Sequence, residues 1–236
     1  MNGESDMKAF LLAAGKGTRL RPVTNEIPKC LVPVNKKPLI DYWFDLFQKH
    51  GITEVLVNCH HLHSKVKDYL KNQKRKLIKI NIVHEKRLLG SGGTIKANSE
   101  FVEGDESFFI CYADNLTAAN LNDMQKTHKS HSKTLTLGVF STDNPGSCGI
   151  VEVDKNNIVK SFIEKPKNPK TNLAAAGVYI ARKNIFDYFP DKKIFDLGHD
   201  VFPKMIDDMV AYKINEYFLD IGTMENYKKA NEEFRG

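Results

Sequence analysis

The chain has 236 residues, of which 41% are hydrophobic, and this is enough for one large domain with its own core. No apolar stretch approaches the roughly eighteen residues of a membrane span, which excludes a membrane-spanning protein. Residues 1–6 are too short and polar for a signal peptide, and we expect them to be a non-native remnant or a disordered tail. The sequence therefore predicts a cytoplasmic protein that binds no membrane.

The net charge of +6 raises the question of nucleic-acid binding, because clustered cations are the usual footprint of a phosphate-backbone site. Here the lysines are spread along the chain. The one dense run, from Lys71 to Lys79, has no aromatic residues between its charges, and we expect it to cover a solvated helix end. The charge suits small polyanionic substrates equally well, and we predict no nucleic-acid partner.

Neither a zinc site nor a disulfide framework is predicted. The 4 cysteines are widely spaced and form no C-x-x-C pair, so we expect reduced core residues at Cys30, Cys59, Cys111 and Cys148. Three histidines lie close together at a predicted strand end, but no second group of ligands supports a zinc site there. We interpret them as polar loop residues: His60, His61 and His63.

The hydrophobic pattern alternates between strand and helix as far as residue 140. This alternation predicts an α/β fold, with a Rossmann-like, mostly parallel sheet and helices on both faces. The predicted strands cover 8–13, 54–58, 79–84, 107–112 and 134–139, and the predicted helices cover 39–50, 63–72, 92–98 and 121–131.

After residue 144 the pattern changes to consecutive strands, which predicts a β-rich second half. The strands are predicted at 149–153, 158–163, 174–181 and 210–217, and the helices at 199–208 and 224–234. We predict a single domain over 7–234, divided into halves at 7–140 and 141–234.

The first predicted strand runs into a loop rich in glycine and cations. Gly15 and Gly17 allow positive φ and let a ligand approach the backbone N–H groups. Cations that follow this turn are Arg19, Arg21 and Lys29. Such a loop is suited to holding phosphates, although its spacing fits neither the P-loop nor the G-x-G-x-x-G pattern.

The motifs AAGKGTRLRP at 13–22 and PKCLVPV at 28–34 together resemble the signature of the sugar-nucleotide pyrophosphorylases, a family of nucleotidyltransferases. Ala14 replaces a glycine that is often found in the family. The chain looks most similar to the mannose 1-phosphate and heptose 1-phosphate guanylyltransferases, partly through FDLGHDVFP at 195–203 and FLDIGT at 218–223. The resemblance implies transfer of a nucleotidyl group from an NTP to a sugar 1-phosphate with Mg²⁺, for polysaccharide or glycan precursor synthesis.

The resemblance also implies the residues that act. Asp114 and Asp220 each follow an apolar run, and the family holds its Mg²⁺ with two aspartates in such segments. The implied catalytic residues are Arg19, Lys29, Asp114 and Asp220. The implied nucleotide-binding residues, in the half at 7–140, are Leu12, Ala13, Ala14, Gly15, Gly17, Thr18, Arg19, Glu85, Gly90, Ser91 and Asp114.

The half at 141–234 is expected to bind the sugar phosphate. By resemblance, the glutamate of EKP at 164–166 binds sugar hydroxyls and the lysine binds the phosphate. The implied substrate-binding residues are Gly149, Glu164, Lys165 and Gly177. Ala175 stands where the family usually has an asparagine, which leaves the sugar open and admits a phosphate monoester such as phosphocholine.

Glu85 and Gly90 have the spacing of the family's base-reading residues. An ionised carboxylate only accepts hydrogen bonds, so Glu85 favours guanine, with donors at N1 and N2, and then cytosine. We therefore predict GTP, with a cytidylyl- or uridylyltransferase as the alternative.

Two other classes of function remain. An inactive regulatory relative is expected to lack one of the four catalytic residues, and all four are present. A glycosyltransferase usually holds its metal with a D-x-D pair, whereas Asp114 is followed by Asn115 and Leu116. The sequence leaves the oligomeric state open, a homodimer included.

Overall fold

A computed structural model describes residues 7–73 and 77–235, so the predicted tail at 1–6 and the centre of the Lys71–Lys79 run lie outside the described residues. The strands are β1 (Ala9–Leu12), β2 (Pro33–Val34), β3 (Lys37–Pro38), β4 (Glu54–Cys59), β5 (Lys79–His84), β6 (Ser107–Tyr112), β7 (Asn115–Thr117), β8 (Leu135–Ser141), β9 (Gly149–Val153), β10 (Val159–Glu164), β11 (Leu173–Arg182), β12 (Met209–Lys213) and β13 (Phe218–Asp220). The α-helices are α1 (Val23–Glu26), α2 (Leu39–Lys49), α3 (His63–Lys71), α4 (Gly90–Ala97), α5 (Leu121–Lys129) and α6 (Met224–Glu233).

The chain forms two compact units that interleave along the sequence. Unit 1 comprises Met1–Leu88, Cys111–Ala119 and Glu216–Gly236, and unit 2 comprises Leu89–Ile110 and Asn120–Asn215. The predicted single domain over 7–234, its division into halves at 7–140 and 141–234, and the functions assigned to these halves remain predictions.

A parallel β1-β4-β5 ladder forms the sheet of unit 1. Phe10 pairs with Leu56, and Leu56 pairs with Asn81. Because the strands are parallel, their carboxyl ends meet at one edge, which is where open α/β sheets place their ligands. Helix α2 buries Trp43, Phe44 and Phe47, which repeat at helical spacing. Burying each such side chain contributes about 1.5–3 kcal/mol.

A second, short ladder in unit 1 joins β7 and β13 in antiparallel order, with Asp220 opposite Asn115. Helix α6 follows directly, and the side chain of Thr223 accepts a hydrogen bond from the Asn226 N–H at its start. A cluster of buried side chains packs beneath this ladder: Leu20, Val34, Leu39, Leu116, Ile221, Ala230 and Phe234.

Unit 2 is mainly antiparallel. Strand β11 pairs with β8 and β9, β9 pairs with β10, and β12 runs parallel to β8. A register shift between Ala175 and Tyr179 marks a bulge in β11, and Gly177 in this bulge has φ of 64°. The last residue of β10, Glu164, pairs with Gly149 of β9.

The predicted α/β fold class is confirmed, and most predicted elements agree with the structure to within a few residues. Among the described residues, no helix is both long and apolar enough to span a membrane. Two predictions were wrong. The helix predicted at 199–208 is a π-helical turn, Leu197–Val201, followed by a 3-10 turn, Phe202–Lys204. The strand predicted at 210–217 ends at Lys213, and a separate strand, β13, begins at Phe218.

The cysteines differ from prediction at one position. All of them are free; Cys30, Cys59 and Cys111 are buried as expected, whereas Cys148 is only partly buried. Cys148 lies at the end of a short 3-10 turn, where its sulfur is 3.8 Å from the backbone oxygen of Asn144. The prediction of a core residue was wrong here because Cys148 precedes β9 in a connecting turn and lies outside the packed strand.

Candidate active site

Strand β1 leads into the predicted phosphate loop. The N–H of Ala113 donates to the carbonyl of Leu12 at 3.0 Å, and the N–H of Ala13 donates to the Oδ1 atom of Asn58 at 2.7 Å. Ala14 is buried, and the exposed residues Gly15 and Lys16 follow it. The loop therefore leaves the sheet at the carboxyl edge of unit 1, and its start is held by two hydrogen bonds.

Gly17 makes the turn of this loop. Its φ is 63°, and the hydroxyl of Thr24 donates to its carbonyl at 2.6 Å. A Cβ atom here would lie 2.8 Å from Cγ2 of Thr24, so only glycine fits without a shift. Gly15 does not adopt the positive φ that glycine allows, but nothing lies within 4 Å of a Cβ built there, so its surroundings are open to a ligand.

Lys29 contacts both of the predicted metal-binding aspartates. It is buried in a short 3-10 turn, and its Nζ lies 2.5 Å from Oδ2 of Asp114 and 3.8 Å from Oδ1 of Asp220. The two carboxylates are partly exposed, with 35% and 45% of their side-chain surface accessible. Three predicted catalytic side chains, far apart in sequence, therefore converge on one point in unit 1.

The β7-β13 ladder explains this convergence. It pairs Asp220 with Asn115, and the N–H of Ile221 donates to the carbonyl of Asp114 at 2.8 Å. The indole N–H of the buried Trp43 donates to the carbonyl of Asn115 at 2.8 Å and fixes the ladder to helix α2. Backbone hydrogen bonds thus place the two aspartates side by side.

Arg19, the fourth predicted catalytic residue, is exposed in the turn Thr18–Leu20 of unit 1. A Cβ atom built on Gly222 would lie 2.9 Å from an Arg19 guanidinium nitrogen and 2.8 and 2.9 Å from the two Asp220 oxygens. The Arg19 and Asp220 side chains therefore both pack against Gly222, and a larger residue at 222 would displace one of them.

The donor set of Asp114 and Asp220 fits a hard divalent cation. Mg²⁺ takes oxygen ligands and is usually held by one or two carboxylates together with substrate phosphates. Among residues 7–73 and 77–235, no group of three or more His, Cys, Asp or Glu residues could hold a metal ion by itself. Asp114 and Asp220, which both lie close to Lys29, are thus suited to a metal ion whose other ligands come from a bound phosphate.

The three neighbouring histidines have other contacts. A ring nitrogen of His60 lies 2.7 Å from the carbonyl of Glu85, and one of His61 lies 3.1 Å from the carbonyl of Thr24. His63 stacks on His84 with ring centroids 3.7 Å apart. Burial and the neighbouring His63 lower the pKa of His84, which disfavours a charged, stacked pair.

Glu85, the predicted base-reading residue, follows β5 at the same edge of unit 1. Its side chain is buried, and its Oε1 accepts a hydrogen bond from Nδ2 of Asn58 at 2.8 Å. Sequence reasoning missed Asn58. The signal was present, because Asn58 is a polar residue at the end of the apolar run 55–57, where the neighbouring parallel strands also end.

Gly90 and Ser91 lie in unit 2, at the start of helix α4. Gly90 has φ of 77°, and a Cβ atom there would lie 2.4 Å from the carbonyl oxygen of Phe195. The hydroxyl of Ser91 donates to Oδ2 of Asp196 at 2.7 Å and accepts from the N–H of Leu197 at 2.9 Å. The glycine-rich segment and the 195–198 segment are therefore fastened together, a link that sequence reasoning did not predict.

Two glycines enclose the Glu164 carboxylate in unit 2. Cβ atoms built on Gly149 and Gly198 would each lie 2.7 Å from its Oε2. Burial raises the pKa of Glu164, and the Asp196 carboxylate adds to the rise, while Lys165 opposes it. This polar group, closely surrounded by backbone, is suited to hydrogen bonding with a neutral hydroxyl ligand.

Lys165 follows with φ of 48°, in the left-handed region that lysine rarely adopts. Its N–H donates to the carbonyl of Cys148 at 2.9 Å, and its Nζ lies 3.6 Å from Oε1 of Glu164. The backbone hydrogen bond to Cys148 holds Lys165 in this strained conformation. Such strain is concentrated at functional sites.

Over residues 8–235 the chain matches the family described as nucleotidyl transferase. The chain belongs to this family. Among curated relatives of the chain, a UTP--glucose-1-phosphate uridylyltransferase from Synechocystis is 33% identical over 95% of the chain, and a mannose-1-phosphate guanyltransferase beta-A from Xenopus laevis is 29% identical over 94%. The chain spans only 62% of the length of each of these two proteins.

Solved structures agree with the nucleotidyl transferase fold. HddC from Yersinia pseudotuberculosis superposes with a TM-score of 0.83 and 26% identity, covering 97% of this chain and 100% of HddC. A second HddC structure, in complex with GMP-PN, gives a TM-score of 0.82. A putative glucose-1-phosphate thymidylyltransferase from Bacillus anthracis, at 20% identity and a TM-score of 0.84, supports the fold alone.

Proposed function

We propose that this nucleotidyl transferase joins an NTP, with GTP preferred, to a sugar 1-phosphate of the mannose or heptose type and releases pyrophosphate. The observation that carries the proposal is the convergence of Lys29, Asp114 and Asp220 in unit 1. A buried ammonium beside two carboxylates supplies both a partner for phosphate and ligands for a divalent cation.

In the proposed reaction a phosphate oxygen of the sugar 1-phosphate attacks the α-phosphorus of the NTP in line. The bond from the α-phosphorus to the bridging oxygen breaks as the new bond forms, and pyrophosphate leaves. No protein nucleophile is needed, so the chain contributes position and charge. Lys29 stabilises charge on the α-phosphate, and Arg19 holds the departing pyrophosphate.

Asp114 and Asp220 would hold Mg²⁺, which when bound neutralises negative charge on the phosphates. The N–H groups of the loop that begins at Ala13 bind the triphosphate, because Gly15 is open and Gly17 turns the backbone. In unit 2, Glu164 accepts hydrogen bonds from sugar hydroxyls, and Lys165 binds the sugar phosphate.

The preference for GTP rests on Glu85 and on two relatives. A carboxylate accepts hydrogen bonds, and guanine offers adjacent donors at N1 and N2. The HddC structure with GMP-PN and the Xenopus guanyltransferase support a guanine nucleotide. UTP is the second candidate, because the Synechocystis uridylyltransferase is 33% identical to this chain.

A matrix of NTPs against sugar 1-phosphates tests the proposal. GTP, UTP, CTP, ATP and dTTP are each combined with mannose, heptose and glucose 1-phosphates and with phosphocholine, in Mg²⁺, and pyrophosphate release is measured. We expect the highest kcat/KM for GTP with a mannose- or heptose-type substrate. A tenfold preference for UTP or dTTP, about 1.4 kcal/mol of discrimination, contradicts the base assignment. An absence of pyrophosphate from every combination contradicts the reaction and favours an inactive regulatory protein.

Replacing Gly198 by alanine tests the role of unit 2. The new Cβ would lie 2.7 Å from Oε2 of Glu164, so the carboxylate must move. We expect the KM for the sugar 1-phosphate to rise about tenfold, equal to about 1.4 kcal/mol, while the KM for the NTP stays the same. Gly146→Ala is the matched control, because the nearest atom to its Cβ is Pro166 O at 3.7 Å. Equal KM values for Gly198→Ala and the control would exclude Glu164 from sugar binding.

A further inference from the structure

Asn58 links the phosphate loop to Glu85 within unit 1. Asn58 is only 3% exposed, and Glu85 is only 5% exposed. Oδ1 of Asn58 accepts from the N–H of Ala13 at 2.7 Å, and Nδ2 donates to Oε1 of Glu85 at 2.8 Å. The two hydrogen bonds use both ends of one buried amide.

The orientation of this amide follows from the chemistry of its neighbours. The backbone N–H of Ala13 can only donate, so the atom of Asn58 that faces it must be the oxygen. The nitrogen therefore faces residue 85, and the atom of residue 85 that it meets must be an acceptor. The N–H of Ala13 thus fixes the orientation of the Asn58 amide, and the amide in turn requires residue 85 to face it with an acceptor.

We propose that Asn58 is a specificity-determining residue, which sets the hydrogen-bonding character that residue 85 presents to the base of the nucleotide. This proposal rests on the proposed function, in which residue 85 reads the base. With glutamate, Oε1 accepts from Nδ2 of Asn58, and in the proposed complex the carboxylate would offer the base an acceptor. A buried hydrogen-bonding group of this kind discriminates strongly between bases, because water cannot replace the hydrogen bond that a mismatched base fails to make.

The proposal makes an asymmetric prediction for Glu85→Gln. The amide oxygen of glutamine must turn to Nδ2 of Asn58, since that is the only end that can accept. Its NH₂ group then occupies the position of the second carboxylate oxygen and presents donors. The preference should move away from bases that donate at this edge and toward bases with a carbonyl there, such as uracil and thymine.

The double variant Asn58→Asp with Glu85→Gln reverses this change. One oxygen of the new aspartate accepts from the N–H of Ala13, and the other accepts from the glutamine NH₂ group. The glutamine oxygen then presents an acceptor again, as in the wild type. The same residue at position 85 should therefore read the base in two opposite ways, depending only on residue 58.

The chain contains a matched control pair. Nδ2 of Asn81, in β5, donates to Oε1 of Glu54 at 2.9 Å, so the same two residue types pair here as well, and Glu54 lies at the opposite end of β4 from Asn58. Glu54→Gln and the double variant Asn81→Asp with Glu54→Gln make the same chemical changes away from the carboxyl edge. We expect no change in the order of NTP preference for these two variants.

The experiment measures kcat/KM for all five NTPs with the best sugar 1-phosphate, and compares ratios between NTPs within each variant. Nucleotide-induced shifts in Tm with GMP and UMP provide a readout that does not need turnover. We expect the GTP-to-UTP ratio to fall at least tenfold in Glu85→Gln and to return to within about threefold of wild type in the double variant. Ratios within one variant are insensitive to a general loss of stability.

The outcomes separate the inference from the proposed function. In one outcome the wild type releases no pyrophosphate, but the preference between GMP and UMP in the Tm shifts changes in Glu85→Gln and is restored in the double variant. The proposed function then fails and the inference stands. If the wild type is active and Glu85→Gln keeps its order of preference, residue 85 does not read the base and the inference is overturned. It is also overturned if the double variant keeps the preference of Glu85→Gln, because residue 58 then has no influence.

Discussion

Replacing Lys29 by methionine is expected to lower the rate of pyrophosphate release by about a hundredfold or more. Lys29 is buried, and its Nζ lies 2.5 Å from Asp114 and 3.8 Å from Asp220. Removing one preorganised charge at a reacting phosphate typically has an effect of this size. Methionine keeps the apolar stem and its packing, so the change isolates the ammonium group. The measurement is single-turnover pyrophosphate release at saturating substrates.

Lys126→Met is the control for this prediction. Lys126 also pairs with an aspartate, with its Nζ 2.8 Å from Oδ1 of Asp123, but the lysine side chain is largely exposed and the aspartate side chain about half exposed. An exposed ion pair contributes little, roughly 0–1 kcal/mol, so we expect wild-type turnover. If Lys29→Met retains a rate within severalfold of wild type while Tm is unchanged, Lys29 has no catalytic role.

The second large effect is expected for Asp220→Asn. The substitution keeps the size of the side chain and the β7-β13 ladder, but it removes one of the two negative charges that would hold Mg²⁺. We expect turnover to fall about a hundredfold and the Mg²⁺ concentration for half-maximal rate to rise. Mn²⁺ binding to the nucleotide complex, followed by electron paramagnetic resonance, should weaken in parallel.

Asp45→Asn serves as the control for the metal prediction, because Asp45 is an aspartate of unit 1 whose charge pairs with Lys37 at the surface. Its Mg²⁺ dependence should match that of the wild type. An Asp220→Asn protein with normal turnover and an unchanged Mg²⁺ requirement would rule out Asp220 as a metal ligand.

Periodicity predicted the elements that repeat regularly. Strand β5 and strand β6 have the predicted bounds, and helix α2 differs by one residue, because their apolar positions follow the strand or helix repeat. The segment 199–208 contains apolar residues at helical spacing, but Pro203 lacks an N–H, and Asp196 and Asp200 bond to backbone N–H groups at the start of the turn. Local side-chain hydrogen bonds, which periodicity does not detect, produce the π-helical turn.

In the candidate site, too, some residues could be predicted from local sequence and others could not. Resemblance identified Asp114 and Asp220 from their flanking residues, and the structure supplies the backbone pairing that brings them together. Asn58 belongs to no motif. Its place after an apolar run was a signal that the sequence analysis missed, but its hydrogen bond to the N–H of Ala13 depends on the pairing of β1 with β4. Contacts between segments distant in sequence, such as Ser91 with Asp196, leave no local pattern and therefore could not be predicted.

Unit 1 is built from three separate segments of the chain, which the ribosome makes at different times. The partner of β7 in its ladder is β13, and Thr117 and Tyr217, which bond across it, are 100 residues apart. At the usual rate of about 5–20 residues per second, a ribosome needs about 5–20 s to make the intervening chain. During that interval the nascent chain carries the phosphate loop, Lys29 and Asp114 without Asp220. A growing chain can therefore complete the sheet of unit 1 well before it acquires its second carboxylate.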